Sequence, residues 1–232
     1  MRTTLFVRQA PAAFVGLLAC GIPTAHAAGT VTGTITVNGT PAPTEVVQVT
    51  TNPDVCGTEY RPIEFVGAGG SLKYAVVRIM GAVGDVPVPD TPHELDQNGC
   101  RFAPHIVIVG VGQRLNVLNS DGILHNIHTY SDKNAPKNTG QPGFLKSIPM
   151  SFTHPEIIRV SCDVHQWMTG RIVVTDTPFI AVTDEDGAFS IPNVPAGAYQ
   201  VSIWHEEYGE TIVDVTVTDG QDTRVTAQLT SR

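Results

Sequence analysis

A thiol, an imidazole and a thioether fall within one short run, Val160-Ser-Cys-Asp-Val-His-Gln-Trp-Met-Thr-Gly-Arg-Ile-Val-Val174, as Cys162, His165 and Met168. A thiolate, imidazole nitrogens and a weak axial thioether are the donors of a mononuclear copper centre that passes single electrons. The set lacks one more imidazole, and His125 offers it upstream in Asn119-Ser-Asp-Gly-Ile-Leu-His-Asn-Ile-His128. Binding would take Cys162 as its thiolate. Each imidazole would use one nitrogen, with the other held by a neighbouring group or by solvent. His165 and Met168 are close enough on a tight loop for both to turn back on a metal held by Cys162. Such a centre leaves no open position for a substrate, which points to a carrier and not to an enzyme. Structural zinc fits less well, because it favours several Cys or His and does not use Met.

The surrounding chain reads as strands. Short Val/Ile/Thr-rich runs recur between clusters of Gly, Pro, Asn and Asp: Thr30–Val37, Glu45–Thr50, Leu72–Met80, His105–Val109, Arg114–Leu118, Glu156–Ser161, Arg171–Thr175, Ala198–Trp204 and Thr211–Val217. Many alternate apolar and polar residues, as half-buried strands do. No amphipathic helix of useful length is visible. Strands of this length and spacing predict an all-β chain of sandwiches. The stretch Ser131–Lys146, rich in Lys, Asn, Pro and Gly, reads as a loop.

The first residues read as an export signal. Arg2 and Arg8 precede an apolar run from Ala12 to Ile22, followed by the small-residue site Pro23-Thr-Ala-His-Ala27. Cleavage after Ala27 would make 1–27 a signal peptide and place the chain in the periplasm or outside the cell. A competing reading takes Leu17-Leu-Ala-Cys20 as a lipobox, with a lipid anchor on Cys20. The apolar run is short for a spanning helix, and no later segment is predicted to cross a membrane.

Export changes the meaning of the cysteines. Cys56, Cys100 and Cys162 would remain, an odd number in an oxidising compartment. The economical division is a Cys56–Cys100 disulfide and a metal-bound Cys162; the bland one leaves Cys162 a buried, inert thiol. The formal net charge of -8 argues against nucleic acid and anionic membrane surfaces as partners. It permits a redox partner protein of unknown identity.

Residues from about Pro92 to Thr177 resemble a cupredoxin of the amicyanin type. The resemblance is carried by Val111-Gly-Gln, by Asn119-x-Asp121, by His125-Asn-Ile-His128 and by Cys162-x-x-His165-x-x-Met168-x-Gly170 before a Val-rich strand. It implies a Greek-key sandwich for one type 1 (blue) copper held by His125, Cys162, His165 and Met168. It also implies that Asn126 ties the first ligand's loop to the Cys162 loop, and that His128 is not a ligand. The chain departs from the family pattern at Asp163-Val164 and Gln166-Trp167, where amicyanins have a proline in each pair. That bears on loop rigidity and potential, not on ligand type. Trp167 is expected beside His165.

The run Val182-Thr-Asp-Glu-Asp-Gly-Ala-Phe-Ser-Ile191, followed by Val194-Pro-Ala-Gly-Ala-Tyr199, resembles carboxypeptidase-regulatory-like domains, which are transthyretin-like sandwiches. Their opening pattern stands at the far end of this chain, as Gly29-Thr-Val-Thr-Gly-Thr-Ile-Thr-Val37 and then Pro41-Ala-Pro43. The expected organisation is therefore a discontinuous regulatory-like sandwich (29–50 plus 178–232) with the cupredoxin (92–177) inserted. Residues 51–91 could join either sandwich.

The remaining motifs read as structure. His205-Glu-Glu-Tyr-Gly209 lacks the second His of a zincin, and Asp184-Glu-Asp-Gly187 reads as a hairpin turn and not a calcium loop. His105 is expected to be a satisfied strand histidine, with His93 and His154 exposed. Two other functions compete with electron carriage. One is copper binding or delivery without redox shuttling. The other is a protein- or glycan-binding module, for which Trp204 and Tyr208 are the nearby aromatics.

Overall fold

The computed structural model describes residues 28–39, 44–81 and 92–230. The predicted signal segment and Cys20 lie outside the described residues. The chain runs β1 (Gly29–Asn38), β2 (Val47–Gln48), a one-turn helix α1 (Pro53–Cys56), β3 (Glu59–Tyr60) and β4 (Val76–Met80). It continues through β5 (His93–Gln97), β6 (Phe102–Ala103), β7 (Ile106–Gly110), β8 (Leu115–Asn119), β9 (His125–Tyr130), β10 (Asn138–Gln141) and β11 (Ser147–Met150). The remaining strands are β12 (Glu156–Ser161), β13 (Thr169–Thr175), β14 (Ile180–Val182), β15 (Ala188–Val194), β16 (Gly197–His205), β17 (Gly209–Val217) and β18 (Asp222–Thr230).

Apart from the β2–β3 pair, the strands form two sandwiches. In one, the sheet β15-β1-β18 faces the sheet β14-β4-β16-β17. Strand β1 shows why: Val31, Ile35 and Val37 alternate with threonines, so one face is apolar and turns into a core with Leu72, Ile79, Phe189, Ile191, Val201 and Val225. Gly33 sits on that face because the strands approach closely there; a Cβ would lie 1.9 Å from the Val225 carbonyl oxygen. Strand β1 comes from one end of the chain and its neighbours β15 and β18 from the other. Strand β4, from the segment that could join either sandwich, pairs with β14 and β16 of this one.

In the second sandwich, β10-β9-β12-β13-β7 faces β11-β8-β5-β6. Its core includes Leu95, Val107, Leu115, Val117, Ile127, Phe152, Ile158, Cys162, Met168 and Ile172. The loop expected over 131–146 contains β10, which adds to β9 in the register Asn138↔His128 through Gln141↔His125. An edge strand needs only backbone pairing, so a polar run can form one. The buried Gln141 anchors its end, donating to the carbonyls of Val117 and Leu145.

The two sandwiches meet along β7, β13, β4 and β16. Strand β13 reads as an unbroken Ile-Val-Val run because both its faces are covered. Ile172 and Val174 enter the sandwich core, while Val173 packs with Ile106 and Val76 at the joint. At one end of this joint the buried Glu206, in the β16–β17 turn, binds His105 Nε2 at 2.5 Å and Arg171 at 2.7 Å. His105 therefore precedes β7 instead of lying within it, and its satisfaction is partial. Nε2 is paired, while buried Nδ1 has no hydrogen-bond partner.

Candidate metal centre

Cys162 follows the end of β12 and Met168 precedes β13, so the intervening loop is closed by the strand pair itself. The Cys162 amide donates to the Met168 carbonyl at 3.2 Å, and the Met168 amide donates to the His165 carbonyl at 2.9 Å. His125 opens β9 in the same sheet. The three predicted donors Cys162, His125 and His165 converge, with ligand atoms all within 4.8 Å of one another. Cys162 Sγ lies 3.8 Å from Nδ1 of each imidazole. The two Nδ1 atoms lie 3.0 Å apart. Common bonds of about 2.0–2.3 Å from one central ion would produce spacings of this order. Met168 is fully buried in the same core cluster as Cys162.

The outer nitrogens settle the tautomers. His125 Nε2 is 2.9 Å from Asp121 Oδ2, and His165 Nε2 is 3.0 Å from Asn52 Oδ1. A carboxylate and an amide oxygen only accept, so both Nε2 atoms carry the proton. Both Nδ1 atoms then present lone pairs to one another and to the sulfur, inside a site where both histidines are fully buried. Two buried acceptors 3.0 Å apart beside a thiol are an arrangement that a bound cation would satisfy. Burial first, and then neighbouring His125, hold His165 below the ordinary imidazole pKa, which keeps its nitrogen free for a metal. The donor set and its protonation thus fit a soft or borderline transition metal.

Asn126, next to His125, bonds to Asp163, next to Cys162. Its Oδ1 accepts from the Asp163 amide at 2.5 Å, and its Nδ2 donates to the Asp163 carboxylate at 3.1 Å and to Asn138 Oδ1 at 2.7 Å. His128 lies outside the cluster. It stacks on Tyr130 with ring centroids 4.2 Å apart and binds the Asp163 carboxylate at 3.0 Å. The bonds from His128 and Asn138 hold Asp163 below the ordinary carboxyl pKa. Trp167 packs its ring 5.3 Å from that of His165 and donates to the Cys100 carbonyl. Cys56 and Cys100 are joined in a disulfide and Cys162 is free.

Sequence reasoning missed two residues. Asp121 was read only as part of a motif, yet its carboxylate accepts from the Gly99 and Cys100 amides as well as from His125. Asn52 gave no signal at all, since nothing near it in sequence bears a ligand.

Residues 170–230 match the family model of the carboxypeptidase regulatory-like domain. The match begins inside β13 and ends with β18, so it omits β1 and β4, which complete that sandwich from upstream. No curated protein matches the chain. Among solved structures, it is similar to a copper-containing nitrite reductase from Thermus scotoductus SA-01, at 22% identity and TM-score 0.36, over 42% of this chain and 25% of that one. The match therefore spans about a quarter of the reductase. A purple cupredoxin from Nitrosopumilus maritimus is similar at 16% identity and TM-score 0.31, over 36% of this chain and 99% of that one. A reduced amicyanin variant is similar at 20% identity and TM-score 0.34, over 44% and 99%. Among the described residues, no helix is long and apolar enough to cross a membrane.

Proposed function

We propose that this chain is an exported copper protein that carries one electron at a time, with a single type 1 copper held by His125, Cys162, His165 and Met168. The observation that supports this reading best is the pair of buried Nδ1 lone pairs facing Cys162. That arrangement is costly for the empty side chains and natural for ligands. When bound, copper supplies a one-electron couple. The chain's part is to hold the donors so that both oxidation states find the same positions. The strand-closed loop from Cys162 to Met168, the Asn126 tie and the two Nε2 partners all restrict the ligands in that way.

A redox partner would need to approach one edge of this end of the sandwich. Leu124, next to His125, is 52% exposed, and Phe144 is 85% exposed. Gly143, beside Phe144, packs against the Gly122 backbone, so apolar surface lies near the His125 side of the site. In this reading the regulatory-like sandwich carries no redox chemistry.

The test is the absorption spectrum of purified protein after addition of one equivalent of Cu(II). Intense absorption near ~600 nm is expected of a His₂Cys site with weak axial Met, and Cys162→Ser should abolish it. A colourless complex, or colour that survives Cys162→Ser, overturns the assignment. Reversible one-electron voltammetry of the blue protein separates carriage from copper binding without shuttling.

A further inference from the structure

Asn52 stands at the entry to α1, where an Asn side chain ordinarily caps the helix. Here it makes no such bond. Its backbone is left-handed, with φ 49° and ψ 49°, a conformation that Asn tolerates better than most residues. Its carbonyl accepts from the Val55 and Cys56 amides, which leaves the amide side chain to meet His165 Nε2 at 3.0 Å. His165 is fully buried, and its Nε2 partner comes from a segment 113 residues away in sequence.

Packing alone holds this segment weakly. Helix α1 buries none of its residues. Strands β2 and β3 pair only with each other and join neither sandwich. Tyr60 stacks under Arg101 at 4.1 Å and lies 6.2 Å from Trp167, which secures the far end. The near end is secured by the Cys56–Cys100 disulfide, whose sulfurs lie within 4.8 Å of a His165 ring nitrogen.

We propose that Asn52 is a positioning residue for His165, and that the Cys56–Cys100 disulfide is the latch that keeps it there. This rests on the metal-site reading above. A dithiol reductant would deliver two electrons and two protons. The S–S bond breaks, Cys56 and Cys100 become thiols, and the reductant leaves as its own disulfide. Helix α1 is then untied, Asn52 leaves His165, and the Nε2 edge of that imidazole opens to solvent. Metal retention thereby becomes dependent on the thiol redox state of the compartment.

The experiment uses the full-length protein and three variants. Asn52→Gly keeps the left-handed backbone and removes only the acceptor; Asn52→Asp keeps the acceptor; Cys56→Ala/Cys100→Ala removes the latch. Release of Zn(II), a redox-inert probe, into excess chelator should be about 10–100-fold faster for Asn52→Gly and for the double variant, and near wild type for Asn52→Asp. On metal-free protein, the His165 Nε2–H should exchange slowly by NMR in the wild type and rapidly in Asn52→Gly and the double variant. Wild-type exchange and release in Asn52→Gly overturn the proposal even if the double variant fails to fold. A wild-type protein that binds neither Zn(II) nor Cu(II) sinks the metal-site reading, and the metal-free exchange arm still decides the role of Asn52.

Discussion

His125 and His165, forty residues apart in sequence, point Nδ1 at Nδ1 across 3.0 Å. Each imidazole is held from behind by an acceptor, Asp121 for one and Asn52 for the other. Sequence spacing alone would not require that mutual orientation. It follows from β9 and β12 being neighbours in one sheet, with Ser161 opposite His128.

The part that Met168 would play in the proposed copper site is open to a direct test. Met168 is fully buried beside Cys162 in the core. Met168→Gln should retain copper but lower its reduction potential, because a harder oxygen donor favours Cu(II). An unchanged potential by voltammetry would remove Met168 from the ligand set.

The joint between the sandwiches should make stability depend on acidity. Burial above all pushes His205 down from 6.5 to about 4, while its neighbour Glu206 opposes the shift. Between those values the unfolded chain binds a proton that the folded chain excludes, so stability falls as pH drops from 6.5 toward 4. Across that window this one group removes roughly 3 kcal/mol of stability relative to pH above 6.5, where it is neutral in both states. His165, also lowered by burial, adds to the same trend. In urea titrations of metal-free protein, His205→Phe should therefore show a flatter pH dependence than the wild type, with packing on Phe65 and Tyr208 kept. Identical slopes would refute the assignment.

The disulfide should also carry global stability. Cys56 and Cys100 are 44 residues apart, and closing such a loop is worth about 3–4 kcal/mol in the chain-entropy view. Cys56→Ala/Cys100→Ala should lower the guanidinium midpoint accordingly. An unchanged midpoint would mean that the segment from Asn52 to Tyr60 is held by other contacts.

The regulatory-like sandwich has its own sensitive point. Gly33→Ala would put a methyl 1.9 Å from the Val225 carbonyl oxygen and 2.7 Å from the Phe189 ring. The strands must part, at a cost of roughly 1–3 kcal/mol, read as a lower denaturant midpoint. No loss would mean that β1 and β18 are looser than their register implies.

Local pattern made much of this chain legible. The alternation in β1, the apolar run of β13 and the spans of β12 and β16 follow from side-chain periodicity, which is a property of a few consecutive residues. The candidate donors Cys162, His165 and Met168 stand out in the sequence because they fall within seven consecutive residues. Cysteine parity pointed to the Cys56–Cys100 bond that the structure contains. Strand β10 was illegible because an edge strand is made by backbone bonds to β9, and its Asn, Thr and Gly carry no hydrophobic signal. The outer acceptors were illegible for a different reason. Asn52 meets His165 from a segment 113 residues away in sequence that is cross-linked to the β5–β6 turn through Cys56–Cys100, and Asp121 meets His125 while its carboxylate also accepts from the Gly99 and Cys100 amides. Residue types declare which atoms could bind a metal. Which nitrogen faces inward depends on the group behind it, and chain segments far apart in sequence supply that group only once they have folded together.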